Sequence, residues 1–306
     1  NGECLTSLQS EANPAHDVKS LAFSPDSRIV ASGGADLTIQ LWHIQDGNGT
    51  YWQTLAGHQG WIWSVVFSPD GKFLASGSDD TTVKLWDLAT GECLHTFVGH
   101  NDELRSIAFS HDGRMLISGS KDRTIGLWDV QSGERVKTLI GHEKWIWAMA
   151  FDPHDRVIAS SSEDRTIRIW SLESCQCLKV IQGYSNTLFS IALVPATASN
   201  LANSPVLVAG GYFDRLVRLW QIDTGEFTSF KGHTDAIRAI AVSSDGRFLA
   251  GGGGSVDPTI KLWSIQDGRC YCNLSGHTNE VWSVAFSADG RMLASGSYDS
   301  TIRLGC

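Results

Sequence analysis

The sequence predicts an all-β fold in which one unit of four short antiparallel strands is repeated around a ring. The first observation behind this prediction is a period of 42 to 50 residues, and the second is that each period contains four short apolar segments separated by turn residues. The tryptophans that end the third strand of successive units are Trp42, Trp86, Trp128, Trp170, Trp220 and Trp263, at spacings of 44, 42, 42, 50 and 43 residues.

The most regular unit begins GHQGWIWSVVFSPDGKFLASGSDDTTVKLW, from Gly57 to Trp86. Alternating apolar residues around Val65 predict a first strand, which ends at the Ser-Pro-Asp-Gly turn. A second strand begins at Phe73, a third ends at Trp86, and residues 91–97 predict a fourth. Each unit is therefore one small antiparallel sheet.

The repeated Gly-His, Ser-Pro-Asp-Gly, Asp-x-Thr-Ile and Leu-Trp elements resemble those of the WD40-repeat family, and among its members the bacterial WD-repeat proteins. The resemblance covers essentially all 306 residues and implies a single seven-bladed β-propeller domain, 1–306, with four antiparallel strands per blade. The expected blades are 13–56, 57–98, 99–140, 141–182, 183–231, 232–275 and 276–306, the last completed by residues 1–10.

Residues 1–10 match the fourth strand at 91–97, whereas residues 277–304 contain three strands without a fourth. We therefore expect Glu3 to Leu8 to form the outer strand of the last blade, which would close the ring and remove an open sheet edge. The chain starts inside a repeat and without Met, which indicates a piece of a longer protein. The segment 195–205 is an insertion expected to form a surface loop.

The formal net charge of −9 argues against a nucleic-acid-binding protein, which needs basic patches. No apolar run reaches the length of about 18 residues that a membrane helix needs, and no signal segment is present. We expect a monomeric cytoplasmic propeller that binds neither nucleic acid nor membrane.

Cysteine recurs at one position of the fourth strand, in Cys4, Cys93, Cys177 and Cys270, which favours a small buried packing residue. The CxC pairs that end at Cys177 and Cys272 lack the CxxC spacing of zinc sites. The sequence therefore predicts no metal and no cofactor, and a reducing compartment.

Three units repeat a set of four polar and aromatic residues. These are His58, Ser76, Asp80 and Trp86; His100, Ser118, Asp122 and Trp128; and His142, Ser160, Asp164 and Trp170. A His/Ser/Asp set is compatible with a hydrolase. The resemblance implies instead that each set is a structural hydrogen-bond chain, here called the tetrad, and three interchangeable copies do not suit one activated nucleophile. We expect no enzyme activity.

In the family, the narrow face around the central channel is the usual binding surface, formed by the start of each first strand and the residue before each turn Asp. The predicted partner-binding residues there are Trp61, Trp63, Asp79, Glu103, Arg105, Lys121, Trp145, Trp147, Glu163, Phe189, Phe213, Arg238, Trp282 and Tyr298. Strand alternation turns Ile62 and Ile146 to the core and leaves Trp61 and Trp145 exposed. For Trp63, Trp147 and Trp282 it leaves two alternatives, exposure on the face or packing between blades.

A rim rich in aromatic residues suits a protein-binding surface. The predicted function is a non-catalytic scaffold or sensor that binds a protein or peptide segment, as part of a larger signalling protein. The alternative is a reader of a modified or cationic peptide, in which paired rings form an aromatic cage.

Overall fold

This computed structural model describes residues 4–9, 17–182, 187–194, 206–211 and 215–305. They form 28 strands in seven four-stranded antiparallel sheets. The insertion at 195–205 and the expected start of the first unit at Asn13 lie outside the described residues. None of the described segments is a helix long and apolar enough to cross a membrane.

Six blades are built from consecutive strands. Blade 1 contains β2 (Val18–Phe23), β3 (Ile29–Gly34), β4 (Thr38–Gln45) and β5 (Asn48–Ala56); blade 2 contains β6 (Ile62–Phe67), β7 (Phe73–Ser78), β8 (Val83–Asp87) and β9 (Cys93–Phe97); blade 3 contains β10 (Leu104–Phe109), β11 (Met115–Ser120), β12 (Thr124–Asp129) and β13 (Arg135–Ile140). Blade 4 contains β14 (Ile146–Phe151), β15 (Val157–Ser162), β16 (Ile167–Ser171) and β17 (Cys177–Ile181); blade 5 contains β18 (Leu188–Val194), β19 (Val206–Gly211), β20 (Val217–Gln221) and β21 (Phe227–Phe230); blade 6 contains β22 (Ile237–Val242), β23 (Phe248–Gly253), β24 (Ile260–Ser264) and β25 (Cys270–Leu274).

The remaining sheet, here called the composite blade, joins the two ends of the described chain. It contains β26 (Val281–Phe286), β27 (Leu293–Ser297) and β28 (Ile302–Gly305), with β1 (Cys4–Leu8) paired antiparallel to β28. The prediction of seven blades therefore needs a correction in its count. As continuous four-strand units the described chain has six blades, and its seventh four-stranded sheet is assembled from strands almost 300 residues apart in sequence.

The hydrophobic core is divided among the contacts between neighbouring blades. In the described residues it consists of seven clusters, and each contains residues of two adjacent sheets. One cluster joins Leu41 of blade 1 to Trp86 of blade 2, and another joins Leu304 of the composite blade to Val30 of blade 1. The sheets therefore close into a ring, and each blade depends on two neighbours for its burial.

Serine side chains fasten neighbouring blades at the inner end of this core. The hydroxyl oxygen of Ser20 in blade 1 accepts a hydrogen bond from the backbone N–H of Val65 in blade 2, at 3.0 Å. The same contact recurs from Ser64, Ser106, Ser190 and Ser283 to the next blade around the ring. Each bond satisfies a backbone donor on the edge of the first strand that has no partner strand in its own sheet.

Glycine in the second strand permits this close approach. A Cβ on Gly119 in blade 3 would lie 2.7 Å from Ile146 Cγ2 of blade 4. Blade 4 differs, because Ser161 stands at the corresponding position and Ala148 replaces the fastening serine. There the Ser161 hydroxyl donates to the carbonyl oxygen of Leu188 in blade 5, at 3.2 Å. At this contact the serine that fastens the blades lies in the second strand and donates, instead of lying in the first strand and accepting.

Each tetrad runs from the buried centre of a blade to the turn beside the rim. In blade 3, Trp128 Nε1 donates to Ser118 Oγ at 2.7 Å, and His100 Nε2 lies 2.7 Å from the same hydroxyl. His100 Nδ1 lies 2.8 Å from Asp122 Oδ2. Since a carboxylate only accepts, Nδ1 carries the proton and Nε2 accepts from the serine hydroxyl. Blades 2 and 4 repeat these distances within 0.1 Å.

Blades without a complete tetrad use other partners. In blade 6, where Gly251 occupies the serine position, Trp263 Nε1 donates to the carbonyl oxygen of Lys231 at 3.1 Å. The composite blade keeps His277, Ser295 and Asp299 in the same contacts, but Gly305 stands where the tryptophan belongs. For blade 5, the tetrad positions 184 and 214 lie outside the described residues.

The tetrad aspartates are held as anions. Burial alone would raise the pKa of Asp122, but hydrogen bonds from His100, the Thr124 hydroxyl and the Asn101 N–H outweigh it and hold that pKa well below its usual range. Asp80, Asp164 and Asp299 are shifted in the same direction for the same reasons.

The interpretation of the recurring cysteine as a buried packing residue is wrong. Cys93 and Cys270 are exposed and Cys177 is half-buried; all three are free thiols. The fourth strand lies at the outer edge of each blade, and in blades 2 and 4 it buries only its last residue, Phe97 or Ile181. Periodicity identified the strand and not its exposure.

A methyl group at the blade 3 to blade 4 contact should be costly. Gly119→Ala is expected to lower the free energy of unfolding by about 1–3 kcal/mol, because the new Cβ overpacks against Ile146. The matched control is Ser161→Ala in blade 4. Position 161 already has a Cβ, so this substitution adds no atom to the contact and removes one hydrogen bond, which costs about 1 kcal/mol. Urea denaturation of both variants measures the difference; equal losses would contradict this view of the glycine.

Removing the tetrad serine should cost more where an indole depends on it. Ser118→Ala leaves the Trp128 N–H and His100 Nε2 without their partner, at about 1–3 kcal/mol for each buried group. Ser295→Ala in the composite blade leaves only His277 without its partner. The free energy of unfolding should therefore fall about half as much in Ser295→Ala as in Ser118→Ala. Comparable losses in thermal or urea denaturation would show that the indole contact contributes nothing.

The tetrads should make the fold sensitive to acid. A carboxyl whose folded pKa is depressed stabilises the native state above its unfolded pKa of about 4, and this contribution is lost as the pH falls below that value. Asp122→Asn should therefore reduce stability at pH 7 and flatten its decline below pH 4, measured by urea denaturation across the pH range. Asp46→Asn, in an exposed turn, is the control and should leave the slope unchanged.

Candidate binding site

Every first strand of the ring carries a β-bulge at the same place. In blade 2 the pairing of β6 with β7 runs from Ile62 to Ser64 with a register shift, so Trp63 has no partner in the ladder. The other first strands shift register at the equivalent residue, which is Lys19, Arg105, Trp147, Phe189, Arg238 or Trp282. A bulge re-aims the side chain of the extra residue. Here it directs seven side chains into the central channel.

These seven side chains surround a cavity of about 150 Å³. Three cations, Lys19, Arg105 and Arg238, lie among the aromatic residues on blades 1, 3 and 6. The Arg105 guanidinium lies 3.9 Å from the centroid of the Trp63 ring. The Arg238 guanidinium lies 4.8 Å from that of Trp282. On blades 4 and 5, Trp147 and Phe189 contact each other edge to face, with centroids 4.7 Å apart. Cation–π contacts and one aromatic pair therefore make up the lining.

Lys19 is the most enclosed cation of the channel. Lys19 is 3% exposed, and its Nζ lies 3.4 Å from the centroid of the Tyr298 ring. The rings of Trp61, Trp63 and Trp282 surround the same nitrogen at 5.2 to 5.3 Å. Burial lowers the pKa of Lys19 to about 8, and Asp17 and Glu280 oppose that effect. The aromatic residues thus form a cage that already contains a cation of the chain itself.

The rim surrounds the mouth of the channel, and its residues Trp61 and Trp145 precede the channel residues Trp63 and Trp147 by two positions in the sequence. Trp61 is 41% and Trp145 38% exposed, whereas Ile62 and Ile146 behind them are buried, as strand alternation predicts. A backbone hydrogen bond joins each rim position to the residue before the turn aspartate, from the Asp79 N–H to the Trp61 carbonyl oxygen and from Glu163 to Trp145. Two exposed indoles are therefore fixed on rigid backbone at the mouth.

Charged residues between the two indoles form one network. Arg105 donates to Asp79 of the neighbouring blade at 3.1 Å and also contacts Glu103. Lys121 pairs with Glu103, and its Nζ lies 4.1 Å from the Trp145 ring. Burial raises the pKa of Asp79 to about 6, with Glu103 acting in the same direction against Arg105. For Glu103, burial is outweighed by the hydrogen bond from Lys121, and the pKa lies below its usual value.

The predicted partner-binding residues thus separate into two groups. The rim holds Trp61, Asp79, Glu103, Lys121, Trp145, Glu163 and Tyr298, and the channel holds Trp63, Arg105, Trp147, Phe189, Arg238 and Trp282. Phe213 lies outside the described residues. Sequence reasoning treated both groups as one surface and did not identify Lys19 as the centre of the cage, since alternation along a strand gives no sign of a bulge.

Comparison with known families agrees with this architecture. Residues 1–172 match the family model described as the WDR3 first beta-propeller domain. Residues 225–264 and 268–304 match the WD domain, G-beta repeat. The first match covers more than half of the chain, and the two together cover most of it.

Similar curated proteins match over shorter stretches. WD repeat-containing protein 90 of Homo sapiens is 39% identical over 51 residues, which is 17% of this chain and 3% of that protein. Small ribosomal subunit protein RACK1 of Neurospora crassa is 36% identical over 67 residues, 22% of this chain and 20% of that protein. The Ribosome biogenesis protein BOP1 homolog of Drosophila virilis is 43% identical over 47 residues, 15% of this chain and 6% of that protein.

The matched stretches span at most a fifth of these relatives' own length, and the relatives are eukaryotic. The expected resemblance to bacterial WD-repeat proteins in particular is not supported. The period, the four-stranded sheets, the tetrads and the family models agree on one assignment: the chain belongs to the WD40-repeat β-propeller family.

Proposed function

We propose that this propeller is a protein-interaction scaffold that binds a segment of another protein on the rim defined above. The observation that carries the proposal is the pair of exposed indoles, Trp61 and Trp145, held on rigid backbone at the mouth of the channel. Tryptophan dominates the energetics of protein interfaces, and a scaffold needs such anchors fixed before the partner arrives. Charged residues between the indoles supply the polar contacts that fix a partner's orientation.

The named relatives support a role in a macromolecular assembly. One is named as a ribosomal subunit protein and another as a ribosome biogenesis protein. The comparisons lend no support to a signalling role or a cytoplasmic location, so the proposal is restricted to scaffolding, with a protein segment as partner.

The alternative function, a reader of cationic or methylated side chains, is disfavoured by the cage itself. Lys19 already occupies the space between Tyr298 and the tryptophans, so an external cation would have to displace a buried, covalently attached one. Two like charges in one cage repel each other, which adds to the cost.

The tetrads also favour a binding role over catalysis. The serine hydroxyls of blades 2 to 4 are 0% exposed, and each is occupied by an indole and an imidazole. A nucleophile must reach its substrate, whereas these groups are enclosed by the blade around them.

Replacing both rim indoles should weaken partner binding without unfolding the ring. We expect Trp61→Ala/Trp145→Ala to lose at least tenfold in affinity for the partner protein, because these residues are exposed and support little of the core. The measurement is affinity capture from native cell extract, followed by titration of the captured protein. Melting of the variant establishes that it is folded.

The control is Val136→Ala/Ile140→Ala, which removes exposed apolar residues from the outer strand of blade 3. It should capture the same protein as the unmodified chain. Capture lost by this control and kept by the rim variant would refute the rim as the binding surface and assign binding to the outer edge of the ring.

A further inference from the structure

The structure assigns a ligand chemistry to the channel: we propose that it binds a carboxylate, presented by an acidic side chain of the protein segment that docks on the rim. This inference rests on the proposed function, since it names the group by which the same face recognises its partner. The residues that would contact the carboxylate are Lys19, Arg105 and Arg238, with the indole N–H groups of Trp147 and Trp282.

The channel contains several buried hydrogen-bond donors that lack an acceptor in the described part of the chain. Among the described residues, Lys19 Nζ, Arg105 Nε, Trp147 Nε1 and Trp282 Nε1 are buried and have no hydrogen-bond acceptor. Lys19 is 3% and Arg105 9% exposed, so these are enclosed groups. Leaving a buried donor without an acceptor costs about 1–3 kcal/mol, more when it is charged. An entering acceptor therefore meets several buried donors that have no other partner in that part of the chain.

Charge is separated along the channel axis. The described residues that line the cavity include three cations and no carboxylate. At the mouth, Asp79 and Glu103 are paired with Arg105 and Lys121, and Glu280 is paired with Arg238. Among the described residues Lys19 makes no such ion pair, and its neighbours Asp17 and Glu280 act on it only at longer range. A carboxylate between the cations would neutralise their mutual repulsion.

The size of the cavity and the charge at its mouth also fit a carboxylate. A water molecule takes about 30 Å³ of liquid, so a 150 Å³ cavity has room for a carboxylate and a short aliphatic stem. The mouth contains the acidic rim residues Asp79, Glu103 and Glu163, together with Asp17 and Glu280 at equivalent positions, and the basic residue Lys121. This acidic mouth repels a doubly charged phosphate more strongly than a single carboxylate. It also favours a segment in which basic residues flank the acidic one.

The test is selection of random heptapeptides displayed on phage against the full propeller, followed by titration calorimetry of synthetic peptides. We expect the selected peptides to share an acidic residue, and its replacement by Asn or Gln to weaken binding at least tenfold. Lys19→Met should weaken binding of the acidic peptide at least tenfold and leave the amide peptide unchanged. Methionine fills the cage without charge, and melting checks its fold.

Lys144→Met is the matched control, because Lys144 is exposed beside Trp145 and lies outside the channel lining. It should bind the acidic peptide as the unmodified chain does. The inference is overturned by selected peptides without an acidic residue, by equal binding of the acidic and amide peptides, or by a selection that yields nothing. Tight binding of N-acetylglutamate amide, equal to that of the peptide, would also overturn it in favour of a small free carboxylate.

The two proposals fail in distinguishable ways. If Trp61→Ala/Trp145→Ala loses the captured protein and Lys19→Met keeps its full affinity, the scaffold stands and the carboxylate inference fails. If both variants keep the captured protein, the rim is not the docking surface and the proposed function fails. Loss of affinity in both variants, with the peptide dependence described above, supports both.

Discussion

The close contact between neighbouring blades is the constraint on which the other features of this protein depend. No sheet of four strands buries enough surface alone, and each apolar cluster of the described core is shared by two sheets. The contact is short because glycine in the second strand admits the first strand of the next blade, and a serine hydroxyl accepts a backbone donor on the unpaired edge of that first strand. The first strand therefore serves both purposes: its unpaired edge fastens the blades, and its bulge orients the channel residue.

Ring closure follows from the same requirement. Leu8 of β1 packs in one cluster with Leu304 of its own sheet and with Ile44 of blade 1. Ile44 lies in the long outer hairpin of blade 1, and a Cβ on Gly49 of that hairpin would lie 2.7 Å from the Leu8 methyl groups. The composite blade is thus held by the strand that completes it and by the neighbour that covers that strand. This explains how a sheet without the buried tryptophan of the tetrad retains its place in the ring.

The sequence was sufficient to predict the repeated strands, the residues that recur in each tetrad, and the exposure of Trp61 and Trp145. Each unit repeats the residue patterns on which these features depend, so the structure expected for one unit could be expected for the others. The depth of Trp63 and Lys19 in the channel was not predictable, since a one-residue bulge changes the direction of a side chain without changing the composition of the strand. The exposure of Cys93 was missed because a recurring residue shows only that a position is equivalent in each blade, not that it is buried.

The position of Lys19 determines what the face can recognise. Without it, three tryptophans and a tyrosine at this spacing would form a receptor for an external cation. With it, the rings stabilise a buried ammonium whose hydrogen-bond donors remain available, and the aromatic surface becomes part of the support of an anion site. The rings attract the cation by its charge, and Lys19 Nζ has no hydrogen-bond partner among the described residues. Burial lowers the pKa of Lys19 to about 8, so its charge is held at a cost in free energy, and the proposed carboxylate would offset that cost by pairing with it.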